Sequence, residues 1–288
     1  MSPTADYVVG MSQPAAAPVI TIRPPKGWAP LDLHEFAGTH ELLYFLVLRN
    51  LKLRYKQTIL GAAWAILQPL LAMAVFTVVF GRLARLPSDG LPYPVFALAA
   101  LVPWTYFANA LTQAGNSLVD QHQLLTKVYF PRLLLPLAAV IAGLVDFAVS
   151  FLLLLCVLAW YGIAPSIRVL AVPGFALLAT ACAFAPGIWL AALNVRYRDV
   201  RHVIPFLVQI WLFATPVAYS SSLVPARWKT CYGLNPIVGL VDGFRWMIAP
   251  SAQPPRLELL VAVAVVMIVL TGGLYFFRRV ERSFADVV

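Results

Sequence analysis

The sequence predicts a polytopic, all-α membrane protein with six spanning helices. Three observations support this. Hydrophobic residues make up 61% of the chain and charged residues only 11%, where a soluble domain carries about 25% charged. Mean hydropathy is +0.82. The apolar residues also gather into six runs of roughly the length a spanning helix needs, about 20 residues. These runs cover about 59–80, 94–114, 133–160, 169–193, 203–219 and 257–277. A soluble domain of this size has no room for six helices that are apolar all round, since its surface helices are amphipathic.

Residues 1–30, rich in Ala and Pro, lack the charged start, apolar core and small-residue cleavage site of a signal peptide and read as a disordered cytoplasmic extension. Residues 31–58 read as an interface helix. At about 100° per residue, Arg49, Lys52 and Lys56 project within roughly 60° of one another. Tyr44, Leu48, Leu51 and Tyr55 share a neighbouring face, while Leu53 and Arg54 fall elsewhere, Arg54 toward protein, so the amphipathicity is imperfect. Such a helix can lie in the membrane interface, basic side on anionic headgroups, or can simply anchor the first span.

The six-span core covers 59–277 and a cytoplasmic tail 278–288. Basic residues set its orientation, because positive charge near span ends stays cytoplasmic. Twelve flank one side, from Arg49 in the N-terminal segment through Lys127, Arg132, Arg196, Arg198 and Arg201 to Arg278, Arg279 and Arg282. Seven lie on the other: Arg82, Arg85, Arg168, Arg227, Lys229, Arg245 and Arg256. Both termini are therefore expected inside. Charge placed in this way answers to a bilayer and not to nucleic acid.

Spans one and two contain Pro69 and Pro103, which bend a helix where neighbours satisfy the freed carbonyl. The following loop, "NSLVDQHQLLTKVYFPR", predicts a short cytoplasmic helix capped by Asn116. It would either dock another protein or fold back on the membrane surface. Asp146 is the one carboxylate inside a span. It is either functional or a hydrogen-bonded structural group, and a proton relay would need a chain of such groups. Beyond span five, "GLNPIVGLVDGFRWMIAP" predicts a helix capped by Asn235 with Pro236 in its first turn, too short to span. A pair of small helices dipping into the outer leaflet is expected there, with Asp242 and Arg245 spaced to pair.

No GxxxxGK[ST], GxSxG or HExxH occurs, and no carboxylates or histidines converge on one face. The chain is expected to have no catalytic residue, no metal site and no cofactor of its own. Cys156, Cys182 and Cys231 have neither metal nor disulfide spacing. Tyr93, Trp160, Tyr161 and Tyr219 fit the interfacial aromatic belt. Trp64, Phe76, Phe80, Trp104, Phe107, Trp211 and Phe213 fall deeper. As a set they would suit a sugar chain sliding past aromatic faces, and individually they would suit packing.

The phrases "LKLRYKQTILGAAWAILQPLL", "LVPWTYFANAL", "KVYFPRLLLPLA", "LNVRYRDVRHVIPFLVQIWLFATPVAYS" and "GLNPIVGLVDGFRWM" occur in an order that resembles the ABC-2-type permeases exporting O-antigens, capsules and teichoic acids. The resemblance runs from about Leu42 to the C-terminus. It implies a half-transporter in the bacterial inner membrane that forms a homodimer and works with two copies of a separate ATPase, which would bind the ATP and Mg. The substrate would be a polyprenyl-diphosphate-linked glycan. By the same resemblance, Arg49, Lys52, Arg54 and Lys56 sit at the substrate entrance. Asn116, Leu118, Val119, Asp120, His122, Gln123 and Leu124 belong to the coupling helix. Phe76, Phe80, Trp211, Phe213, Trp104 and Phe107 line the channel. Asn235, Pro236, Asp242, Phe244 and Arg245 form the periplasmic gate. A permease for a small lipid or drug shares that fold, and an ion-coupled carrier would want intramembrane charges in two repeated halves.

Overall fold

The computed structural model describes residues 39–56, 61–127, 130–249 and 254–281. The extension predicted over 1–30 and the end of the tail lie outside them. Among the described residues the chain is helical and contains no strand. Helix α1 is His40–Tyr55, and α2 is Gly61–Phe76, which runs on into a π-helical turn at Thr77–Leu83. Helix α3 is Tyr93–Asp120 and α4 is His122–Lys127. Helices α5, Leu134–Ala142, and α6, Leu144–Trp160, form one apolar rod broken at Gly143. Helix α7, Val172–Arg196, follows a 3-10 turn. Helix α8 is Val200–Phe213, α9 Ala226–Gly233, α10 Pro236–Ile248 and α11 Arg256–Glu281.

Among the described residues, five stretches are long and apolar enough to cross a membrane: Ala63–Leu83, Tyr93–Asp120, Leu134–Trp160, Ile167–Arg196 and Arg256–Glu281. The fifth predicted span, 203–219, is a shorter apolar helix than the sequence predicts. Its helix ends at Phe213 and is followed by turns. At 1.5 Å per residue, 14 residues reach about 21 Å, short of the roughly 30 Å hydrocarbon core. Thr215-Pro216 explains the early stop, because a residue before proline is pushed away from helical geometry.

Helix α3 is the axis of the bundle. From Val95 to Val102 every side chain is buried, and α2, α5, α6, α7 and α10 all pack against it. Close approach needs small residues. A Cβ on Gly187 would lie 2.8 Å from the Ala114 Cβ, which brings α7 hard against α3. A Cβ on Gly243 would lie 2.1 Å from the Phe175 ring, so glycine alone lets α10 lie against α7. By contrast, α2 and α8 present rows of exposed apolar side chains, among them Leu71 and Val75 on one and Phe206 and Phe213 on the other.

Candidate functional site

At the N-terminal end, α1 packs on α5 through a face carrying Leu43, Leu46, Val47 and Leu51. Arg54 shares that packed side. Its guanidinium pairs with the Asp146 carboxylate on α6 and donates to Gln113 on α3. Tyr55 donates its hydroxyl to the other Asp146 oxygen. Three helices are thereby tied through one ion pair. Burial lowers the Arg54 pKa from its ordinary value, yet a guanidinium titrates too high to lose its charge.

Arg49, Lys52 and Lys56 lie on the opposite, exposed side. The basic side is not purely polar: Phe45 at 64% and Leu53 at 58% exposure are interleaved with these bases. The packed side takes the other apolar residues. Arg49 reaches Gln121 at 2.8 Å, fixing the helix to the end of α3. Lys52 and Lys56 make no ion pair among the described residues.

The coupling helix predicted from Asn116 is also corrected. Asn116 lies inside α3, which continues to Asp120. The reason is tertiary: Asn194 on α7 donates to the Gly115 carbonyl and to the Asn116 side chain, both at 2.9 Å, and so satisfies the polar end of α3. Leu118 is fully buried and has no face for a partner. Val119 is half-buried, and its carbonyl lies 3.3 Å from His122 Nδ1. The turn falls at Gln121, after which α4 carries His122, Gln123 and Leu124, the first two exposed. Asp120 pairs with Arg201 at the start of α8, 3.7 Å away.

At the other end of α8, Asn235 does what its sequence context predicts and more. It caps α10 by accepting from the Ile237 backbone at 3.1 Å. Its Oδ1 also accepts from Trp211 Nε1 at 3.0 Å, and its Nδ2 donates to the Ala214 carbonyl and Thr215 Oγ1, both at 3.1 Å. Pro236 opens α10. Asp242 and Arg245 pair at 3.8 Å. Arg245 is buried, with its Nη groups donating to the Val217 and Tyr219 carbonyls at 3.2 and 3.3 Å and its guanidinium 3.6 Å over the Phe96 ring. Burial pushes the Asp242 carboxyl up to about 6 against the pull of Arg245. Phe244, placed with the gate by resemblance, has no accessible surface and meets the Phe147 and Phe175 rings at 5.8 and 5.7 Å.

The aromatic set divides. Phe76 and Phe80 are half-buried neighbours, with ring centroids 5.3 Å apart, and Phe213 is 67% exposed. Trp104 and Phe107 are core residues packed under Trp211, whose ring meets Phe107 at 4.9 Å. A side chain with no surface in the single chain offers no face to a passage between chains, so these two leave the lining set.

Sequence reasoning missed Arg168, which donates to the Trp246 and Ala249 carbonyls at 3.2 Å each and lies over the Trp246 ring. It holds the C-terminal end of α10, where cations are favoured. It also missed Asp89, which accepts from Ser220 at 2.5 Å. Both contacts join residues far apart in the chain, and no local pattern announces them.

Residues 41–249 match the model of the ABC-2 type transporter family. The O-antigen export system permease protein RfbA of Myxococcus xanthus is 34% identical over 87% of this chain and 96% of its own length. A protein of that description from Klebsiella pneumoniae is 25% identical over 86% and 95%. The polysialic acid transport protein KpsM of Escherichia coli is 23% identical over 83% and 93%.

Proposed function

This chain belongs to the ABC-2 type transporter family of membrane proteins, and from that membership we propose that it is the permease subunit of a polysaccharide exporter. Its substrate would be a glycan carried on a polyprenyl diphosphate and moved across the bacterial inner membrane, as the export names of its relatives suggest. A separate ATPase subunit supplies the energy and holds the ATP and Mg, and two copies of each chain make the transporter. The unpaired apolar rows of α2 and α8 support a second copy, since such area is otherwise left to lipid.

One observation in the structure supports this reading above the others. Arg54 is spent on Asp146, which turns Arg49, Lys52 and Lys56 outward together, interleaved with apolar side chains. Long basic side chains can keep their stems in the acyl boundary and their charges among phosphates. A lipid-linked diphosphate arriving along the membrane meets three cations there.

In this reading α4 is the part of the coupling region that meets the ATPase. Displacing it moves the end of α3, which is bonded to α7 through Asn194 and paired with α8 through Arg201. Helix α8 is in turn stitched to α10 through Asn235. A push at the cytoplasmic end thereby reaches the outer helices through contacts already made. Both termini lie on the cytoplasmic side.

The test is deletion of the gene, followed by leaflet-resolved detection of lipid-linked glycan. Accumulation in the cytoplasmic leaflet, reversed by the intact gene, is expected. Glycan that still reaches the outer leaflet would overturn the reading.

A further inference from the structure

A cavity of about 570 Å³ opens at the outer end of the molecule, within the range of sites that hold a small molecule. Cys182 and Pro186 of α7 and Val265, Val266 and Val269 of α11 form its inner wall. Helix α9 and the turn into α10 cover it, contributing Trp228, Cys231, Tyr232, Leu234 and Asn235. Two of its walls are spans, so its floor lies at membrane depth.

Apart from the Trp228 indole N–H, the indole, hydroxyl and amide groups that reach this cavity already have partners. Trp211 Nε1 donates to Asn235, and the Tyr232 hydroxyl donates to Tyr219 at 3.2 Å. A single indole N–H is too little to hold a sugar or a polar drug, whose other hydrogen-bonding groups would be stranded at a cost of about 1–3 kcal/mol each. An apolar cavity stays dry and takes apolar guests. The occupant is therefore a hydrocarbon chain.

The rim identifies what the chain belongs to. On α9 the cavity face is Trp228, Cys231 and Tyr232, and at about 100° per residue Arg227 and Lys229 flank Trp228 on either side. Both are exposed, and the Arg227 guanidinium lies 6.0 Å from the Trp228 ring. We propose that the cavity between α7, α11 and the α9–α10 pair binds one acyl chain of an anionic phospholipid, whose phosphate sits between Arg227 and Lys229. Such a lipid would brace the short outer helices from below. This inference stands independently of what the permease exports.

The test uses the full chain in detergent and native mass spectrometry with phosphatidylglycerol and phosphatidylcholine. One phosphatidylglycerol should persist per chain. R227Q/K229Q should weaken it by roughly twenty-five-fold, since each basic residue beside an anionic headgroup contributes a factor of about five. Val266→Phe should remove it by filling the cavity. A second measurement avoids reliance on a core variant. In C156A protein, with Cys182 buried, maleimide reaction at Cys231 should slow when phosphatidylglycerol is added, and should not slow in R227Q/K229Q. Equal retention of both lipids, or a Cys231 rate indifferent to lipid, would overturn the proposal. So would Cys231 protection that follows protein concentration instead of lipid, because it would assign the cavity to a second copy.

Discussion

Arg54 on α1 and Asp146 on α6, 92 positions apart, form an ion pair that Tyr55 and Gln113 complete. The pair is partly shielded, with side-chain exposures of 24% and 25%. It joins the helix lying outside the spans to two helices inside them. A carboxylate in a span is costly on its own, and here a guanidinium and the Tyr55 hydroxyl compensate it, while Gln113 accepts from the other side of the guanidinium.

Removing one partner should therefore cost more than removing both. Asp146→Ala leaves Arg54 half-buried and unpaired and should lower stability by about 2 kcal/mol, less than the 3–5 kcal/mol of a fully buried pair because solvent screens this one. Asp146→Asn keeps one acceptor oxygen for Arg54 and an NH2 to which a turned Tyr55 hydroxyl can accept, so it should cost less. The swap R54D/D146R should recover part of the loss. Thermal unfolding in detergent measures all three, and a double variant no better than the worse single would show that the two residues act separately.

Replacing Arg49, Lys52 and Lys56 together by Gln should leave membrane insertion intact and cost folding only the exposed Arg49–Gln121 bond, because all three side chains are exposed. Binding of the lipid-linked diphosphate should weaken by about fivefold per residue removed. Arg54→Gln should differ in kind, lowering stability first. Flotation with vesicles carrying an isoprenoid diphosphate separates the two effects. Unchanged binding in the triple variant would remove the entrance role.

The spans were legible because a bilayer demands continuous apolar runs, and 94–114 and 257–277 fall inside α3 and α11. Helix ends were less legible wherever tertiary partners decide them. The stretch from Gly115 to Asp120 reads as the end of one helix and the capped start of another, yet it continues α3 because Asn194 and Arg201 arrive from elsewhere. Conversely, 214–219 reads as span because it is apolar, although Pro216 was a visible stop signal. Helical geometry alone turned Arg54 away from the other three bases. That its partner would be Asp146 was not available from one helix.

Stability should depend on pH through Asp242. Its pKa in the folded chain is raised to about 6 from the ordinary 3.8, with burial as the first cause. In that window the folded chain holds a proton that the unfolded chain has released. Stability therefore falls as pH rises from about 4 to about 6 and is level above. Asp242→Asn should flatten that slope. Melting temperatures measured at pH 4, 5, 6 and 7 provide the comparison, and an identical slope in the variant would place the titrating group elsewhere.

Asn235 concentrates four contacts in one amide, so its loss should exceed that of an ordinary helix cap. Capping alone contributes about 1 kcal/mol. Asn235→Ala would also strand Trp211 Nε1, which otherwise donates to Oδ1, and free the Ala214 carbonyl. Leaving a buried donor unpaired adds about 1–2 kcal/mol, for a total near 2–3 kcal/mol. Asn235→Asp keeps the cap and the Trp211 acceptor but cannot donate to Ala214 or Thr215, so it should fall between. The loss should also be local. Proteolysis after α8 should quicken in Asn235→Ala, while the Arg54–Asp146 end, held by separate contacts, keeps its hydrogen-exchange protection. Protection lost equally at both ends would mean that Asn235 supports the whole bundle and not the seam between α8 and α10.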